Sequence, residues 1–115
     1  MVYSEIVEAL SSDPLVIKIV SFDTKIRACY TENLFLDLFY NEETNRYDFA
    51  LIYNDKRVLG WDNAPHHRQI STHPHHKHEF GVLYESDLEG DITLDIHKVL
   101  THIKIFIKQH RIGKG

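Results

Sequence analysis

The sequence is poor in cysteine, in long apolar runs and in excess basic charge. Its single cysteine, Cys29, allows no disulfide within the chain. No apolar run approaches the roughly 20 residues that span a bilayer, so we expect no membrane association. Thirteen Lys and Arg against seventeen Asp and Glu leave a formal charge of −4, which argues against a strongly basic nucleic-acid binder. No basic start with an apolar core resembles a signal peptide, so we expect a cytoplasmic protein.

Histidine, in contrast, is abundant. Nine of the 115 residues are histidines, and protonating all of them would turn the net charge positive. The unperturbed pKa of histidine lies close to neutrality, so its environment decides its charge. The electrostatic character of this protein therefore depends on where the histidines lie.

The apolar patterning predicts one α+β domain over residues 1–115. Helical spacing over residues 3–10 predicts a short N-terminal helix. Alternating segments and turns between residues 15 and 61 predict an antiparallel meander of about five strands.

A second helix is predicted near the end of the chain, packed on the sheet. Asp91 is its expected N-cap, and we expect Asp95 and Lys98 to face away from the core. Its apolar stripe consists of Ile92, Ile96, Val99, Leu100, Ile103 and Ile107.

Residues 62–79 form a different kind of segment. It contains two prolines, and its only aliphatic residues are Ala64 and Ile70. Such a segment cannot bury itself, so it is predicted to be a surface loop or an irregular arm on the sheet. Six of the nine histidines lie in this arm: His66, His67, His73, His75, His76 and His78.

One interpretation of the arm is a metal site. Neutral imidazole is the commonest protein ligand for metals, and residues two apart in an extended segment point the same way. The candidate ligands are His75, His76 and His78, with a carboxylate from Asp62 and with Zn or another divalent metal as the cofactor. The spacing matches no standard zinc template.

A second interpretation is acid–base catalysis of RNA cleavage, with the 2′-hydroxyl as nucleophile. Arg68 and Lys77 would clamp the phosphate, and Asp62 would orient a histidine. The candidate acids and bases are His66, His67, His76 and His78.

Two further interpretations involve no catalysis. In one, the arm binds anions or nucleic acid through Arg68 and Lys77, with Trp61 stacking on a base and Asn63 contributing to the substrate-binding set. In the other, the histidines only fix an irregular loop. Trp61 is then a core residue, and the pair Asp62–Asn63 forms a turn.

Two stretches of the arm resemble a known family. Residues 61–67 read Trp-Asp-Asn-Ala-Pro-His-His, and residues 72–78 read Thr-His-Pro-His-His-Lys-His. This double motif resembles the TumE-like toxins of type II toxin–antitoxin pairs, and the resemblance covers most of the chain. His73 departs from the family pattern, which often has an aromatic or apolar residue there.

The resemblance implies a prokaryotic cytoplasmic toxin whose partner is an antitoxin, commonly a helix-turn-helix DNA-binding protein. Many small toxins act on RNA or translation, so ribonuclease activity is the favoured analogy. The alternative is a non-catalytic metal-binding or protein-interaction module that uses the His-rich loop. An unpaired edge strand of the meander could also join two copies into a homo-oligomer.

Overall fold

The computed structural model describes residues 2–112, which contain two helices and one antiparallel sheet of seven strands. The helices are α1 (Val2–Ser11) and α2 (Ile92–His110). The strands are β1 (Lys18–Ser21), β2 (Ile26–Thr31), β3 (Leu34–Asn41), β4 (Arg46–Tyr53), β5 (Lys56–Asp62), β6 (His76–Glu79) and β7 (Val82–Glu85). Neither described helix combines the length and apolarity that a membrane span requires.

The sheet is a simple meander in which each strand pairs with its neighbours in chain order. The α+β class is therefore confirmed, but the prediction of about five strands was wrong. The two additional strands are β6 and β7, and β6 lies inside the segment that was predicted to be an irregular arm. Its polar residues can form a strand because the edge of β5 supplies backbone partners, with Asp62 opposite His76 and Gly60 opposite His78.

One face of the sheet is covered by the helices. Alternate residues of β3, Leu34, Leu36 and Leu38, are at most 2% exposed and belong to the same core as Leu10 of α1 and Ile103 of α2. This packing follows from the period of two along strands and the apolar stripe along each helix.

The predicted C-terminal helix is present, but one residue that we expected to face away from the core does not. Asp91 is the N-cap and accepts a hydrogen bond from the backbone N–H of Thr93. Asp95 does not face away, because it is 1% exposed and accepts hydrogen bonds from the backbone N–H groups of Glu89 and Gly90. A buried carboxylate at this position satisfies donors of the preceding loop and lies in the positive first turn of the helix.

The opposite face of the sheet carries charged and polar side chains. Register pairs connect Asp48 to Asp62 and Asp62 to His76, so all three side chains lie on the face opposite Trp61. We call this surface the open face, because among residues 2–112 the helices pack on the other side. The open face also carries His78, two residues beyond His76 on β6.

Candidate functional site

Five ionisable side chains converge at the open face. Asp62, His66, His67, His76 and His78 form what we call the His–Asp cluster. Two overlapping groups within it, His66–His67–His76 and Asp62–His76–His78, each bring their nitrogen or oxygen atoms within 4.8 Å of one another. The structure thus brings together every residue that the sequence nominated as catalytic.

Strand pairing fixes the buried half of the cluster. Asp62 ends β5 and His76 begins β6, directly opposite each other. Nε2 of His76 lies 2.9 Å from Oδ1 of Asp62, and Nε2 of His78 lies 3.6 Å from Oδ2 of the same carboxylate. One carboxylate therefore faces two imidazoles that rise from the same side of β6.

The tautomer of His76 is set by a backbone carbonyl. Nδ1 of His76 is 3.0 Å from the carbonyl oxygen of Pro74, and that oxygen can only accept, so Nδ1 carries a proton. The side chain of His76 is 1% exposed, so its Nε2 is buried. Although close to Asp62, Nε2 makes no contact with hydrogen-bond geometry in the described part of the chain.

The loop after β5 folds back over the open face. Asn63 ties it to β4, because its side-chain oxygen accepts from the N–H of Tyr47 and its amide donates to the carbonyl of Asn45. Asp62 also accepts from the N–H of Ala64 through Oδ1. These bonds direct the chain so that His66 and His67 lie beside the strand histidines.

Ring contacts show how closely the imidazoles pack. The ring centroids of His66 and His67 are 4.6 Å apart, and those of His67 and His76 are 4.8 Å apart. The rings of His76 and His78 are separated by 4.9 Å. His66 is exposed and His67 is half-buried, so this pair forms the solvent side of the cluster.

The environment disfavours additional positive charge on two of these rings. Burial and the nearby Arg57 guanidinium lower the pKa of His78, against the opposing effect of Asp62. Desolvation and the neighbouring His76 and His66 lower the pKa of His67. Both rings therefore favour the neutral form, which can accept a proton or donate a lone pair to a metal.

Arg57 is a cation beside the cluster, and the sequence reasoning did not select it. A Cβ built on Gly60 would lie 3.2 Å from Cδ of Arg57, so the Arg57 side chain crosses the strand over this glycine. Gly60 pairs with His78 in the sheet register. A glycine in the interior of a strand often marks such a close approach, and that was the available signal.

Asp48 is a second residue that sequence reasoning missed. It pairs with Asp62 in the β4–β5 register on the open face. Burial, followed by the charge of Asp62, raises the pKa of Asp48 despite the nearby arginines. The sequence pattern that could have indicated Asp48 is the alternation along β4, which places Asp48 on the opposite face from the apolar residues on either side of it.

The structure does not bring all the nominated residues to the cluster. Lys77 lies on the helix-covered face, since it pairs with Trp61 in the register, and its Nζ is 3.9 Å from a carboxylate oxygen of Glu79. Arg68 is exposed on the loop. His75 lies outside both groups of close ligand atoms, and its Nδ1 is 2.7 Å from the hydroxyl of Tyr47.

Trp61 and Asn63 have structural surroundings. Trp61 is 1% exposed and belongs to the hydrophobic core, which favours the interpretation as a core residue over stacking on a base. Asn63 is 8% exposed, and both ends of its amide contact backbone groups. Their predicted contribution to substrate binding would therefore be indirect, through the placement of the loop and of Asp62.

This arrangement is suited to two kinds of chemistry. Neighbouring imidazoles beside a guanidinium can exchange protons with a phosphodiester while its charge is stabilised. A carboxylate and two imidazole nitrogens around one point are also a ligand set for a divalent transition metal.

A comparison with known families matches most of the chain. The model of a family described as toxin TumE matches residues 3–107, which include the entire His–Asp cluster and all seven strands. No curated protein and no solved structure matches the chain.

Proposed function

Because the chain belongs to the TumE toxin family, we propose that it acts by cleaving RNA at the His–Asp cluster. The family makes it a toxin component of a toxin–antitoxin system, with an antitoxin as its partner. We further propose that this antitoxin is a helix-turn-helix DNA-binding protein and that the toxin works in the cytoplasm of a prokaryote.

The observation that supports RNA cleavage is the position of the cluster. Five ionisable side chains meet on a sheet face that no described helix covers, next to the Arg57 guanidinium. A phosphodiester is an extended anion and needs an accessible surface with a cation and proton-transfer groups. In the described residues, both groups of close His and Asp ligand atoms lie in this cluster.

The proposed reaction uses the RNA itself as nucleophile. A neutral imidazole accepts the proton of a 2′-hydroxyl, and the 2′-oxygen forms a bond to the adjacent phosphorus. The bond from phosphorus to the 5′-oxygen breaks, and a protonated imidazole donates a proton to that oxygen. The products are a 2′,3′-cyclic phosphate and a 5′-hydroxyl, and the two histidines exchange protonation states.

Burial supports the following roles within the cluster. His66 and His67 lie on the solvent side, so they are the candidates that reach the substrate and carry the protons. His76 and Asp62 are too deeply buried for this, at 1% and 8% exposure, and act as positioning residues. Arg57 joins Arg68 as a proposed phosphate clamp, whereas Lys77 lies on the helix-covered face.

The test combines purified protein with a defined substrate. The protein is incubated with a fluorescent RNA oligonucleotide and with the same oligonucleotide carrying 2′-deoxyribose at every position. We expect cleavage of the RNA only, with products that end in a cyclic phosphate. His67→Ala should lower the rate by about 100-fold or more, the usual range for a lost acid or base.

His73→Ala is the matched control, because His73 is exposed in the same segment and lies outside both groups of close ligand atoms. This variant should cleave RNA and stop growth like the wild type. Intact RNA in the presence of wild-type protein, together with growth arrest that survives His67→Ala, would show that the toxin acts on another target. Growth unaffected by expression would favour the alternative, a non-catalytic binding module.

A further inference from the structure

We propose that Asp62, His76 and His78 bind one divalent transition-metal ion. The observation that carries this proposal is the buried, unpartnered Nε2 of His76, which lies 2.9 Å from a carboxylate oxygen. A lone pair and a carboxylate oxygen repel each other at this distance unless a cation lies between or beside them. The cluster contains the remaining ligands that such a cation needs.

The far side of the His76 ring supports this assignment. Its Nδ1–H donates to the carbonyl of Pro74, which in the neutral ring leaves the lone pair on Nε2, the nitrogen that lies beside Asp62. Histidines that bind metals almost always donate their second ring N–H to a carbonyl or a carboxylate in this way.

Two separations between ligand atoms are close to those that one ion imposes. Two ligands at about 2.1 Å from a metal lie about 3.0 Å apart at a right angle and about 3.4 Å apart at the tetrahedral angle. Oδ1 of Asp62 lies 2.9 Å from Nε2 of His76, and Oδ2 of the same carboxylate lies 3.6 Å from Nε2 of His78. The ligand nitrogens of His76 and His78 lie within 4.8 Å of each other, so adjustments of the side chains would complete the site.

The two overlapping groups predict a single ion. His76 belongs to both groups, but it can offer at most one lone pair to a metal, because its Nδ1–H donates to the carbonyl of Pro74. Asp62 is the better partner, since its carboxylate charge contributes to binding and Oδ1 is already oriented by the N–H of Ala64. His66 and His67 then face the remaining coordination position, where an exchangeable ligand would be accessible from solvent.

The ligand chemistry selects the class of metal. Two imidazole nitrogens and one carboxylate suit Zn²⁺ and its neighbours among the transition metals, whereas Mg²⁺ and Ca²⁺ prefer all-oxygen sites. Three protein ligands with one open position are typical of catalytic rather than structural zinc. Binding of the ion is inferred from geometry and does not depend on RNA cleavage.

Direct metal binding is the test. The full chain is prepared without a histidine tag, stripped with a chelator and titrated with Zn²⁺ in competition with a chromophoric chelator. We expect one equivalent of tightly bound Zn²⁺, and visible absorption bands when Co²⁺ replaces it. Loss of a residue that only hydrogen-bonds a metal ligand already costs about 10–100-fold in affinity. Asp62→Asn and His78→Ala change ligands themselves, so each should weaken Zn²⁺ binding by at least about tenfold.

His73→Ala again provides the control, because it removes an exposed imidazole from the same segment. Equal weakening by His73→Ala and His78→Ala would identify adventitious binding to a histidine-rich surface and overturn the proposal. So would weakening by His66→Ala without weakening by His78→Ala. Far-UV circular dichroism verifies folding, and Asp62→Asn keeps the test decisive if His78→Ala does not fold.

The proposal of RNA cleavage and the proposal of a metal site can be overturned independently. Zn²⁺ bound with the expected variant pattern, but with RNA left intact, would overturn RNA cleavage and leave the metal site standing. Cleavage by a chain that binds no Zn²⁺ would overturn the metal site alone.

Discussion

Nε2 of His76 lies 2.9 Å from Oδ1 of Asp62, and these residues are opposite each other in the β5–β6 register. The contact is therefore produced by backbone pairing, not by a mobile loop. Sites supported by regular strands hold their side chains more precisely than sites on loops. Either a proton on Nε2 of His76 or a metal ion beside it would compensate the negative charge of Asp62, so the charge of Asp62 matters in both cases.

The first prediction concerns the charge of Asp62. In Asp62→Asn, the amide oxygen can still accept from the N–H of Ala64, so we expect the fold and the melting temperature to change little. Growth arrest should be lost, and RNA cleavage should fall by about 100-fold or more. Growth curves after induction and single-turnover cleavage assays check this expectation.

Asp62→Ala is the companion variant. It removes the acceptor as well as the charge and leaves the buried N–H of Ala64 without its partner, which typically costs about 1–3 kcal/mol. Urea denaturation should therefore separate Asp62→Ala from Asp62→Asn. Wild-type toxicity in Asp62→Asn would remove this carboxylate from the mechanism.

The second prediction compares two cations on opposite faces of the sheet. Arg57→Ala should raise the KM for RNA and reduce the salt dependence of binding by about one unit of slope, as expected for one lost phosphate contact. Lys77→Ala should leave both quantities unchanged, because Lys77 lies on the helix-covered face. Fluorescence anisotropy with labelled RNA over a range of salt concentrations measures the difference.

Gly60→Ala tests the proposed phosphate contact of Arg57 without removing the arginine side chain. A Cβ at this position would lie 3.0 Å from the carbonyl oxygen of Phe49 and 3.2 Å from Cδ of Arg57. The added methyl group should displace the Arg57 side chain and reproduce part of the RNA-binding defect. Identical RNA affinities for Gly60→Ala and the wild type would contradict a role for Arg57 as placed here.

The meander and both helices followed from periodicity, because apolar residues at spacings of two and of three to four report directly which face is buried. β6 could not be found this way. His76, Lys77 and His78 give no apolar alternation, and this strand is stabilised by the backbone edge of β5 and by the contacts of the cluster. Asp95 was misplaced for a related reason, since its partners are backbone groups of a loop that a helical pattern does not reveal.

Part of the cluster could be predicted because its residue types are rare together. Six histidines in one segment indicated a candidate site, and four of them lie in the His–Asp cluster. The error over Lys77 came from treating the segment as irregular: once β6 is recognised as a strand, alternation places Lys77 on the face opposite His76 and His78. Arg57 was not selected because its proximity to the cluster depends on the register of the sheet, which the sequence does not show.

The third prediction concerns the attachment of the histidine loop. Asn63→Ala removes the acceptor of the buried Tyr47 N–H and the donor to the Asn45 carbonyl. We expect a loss of about 1–3 kcal/mol in the free energy of unfolding and weaker Zn²⁺ binding, because Asn63 directly follows the ligand Asp62. Urea denaturation and the chelator competition assay measure the two effects.

Asn33→Ala is a suitable comparison, since the Asn33 amide bonds exposed side chains near the β2–β3 turn. It should cost much less stability and leave metal affinity unchanged. Equal effects of the two substitutions would mean that Asn63 has no special part in holding the loop.

The last prediction is a pH dependence of stability that originates away from the cluster. Asp37 on β3 accepts hydrogen bonds from Arg27 at 2.8 Å and from Lys25 at 2.9 Å. Burial alone would raise the pKa of Asp37, but the hydrogen bonds and charges of Arg27 and Lys25 outweigh it and lower the pKa. The folded state therefore holds this carboxylate charged more strongly than the unfolded chain does.

A lowered pKa in the folded state stabilises the protein above the unfolded pKa of about 3.9 for aspartate, and this contribution disappears as the pH falls through the folded pKa. Asp37→Asn should cost up to about 1 kcal/mol at neutral pH, as expected for a partly exposed ion pair. The difference from wild type should shrink below about pH 4. Urea denaturation from pH 7 to pH 2.5 follows it, with the exposed Glu43→Gln as control. A stability difference that stays constant over that range would show that Asp37 acts through packing and not through its charge.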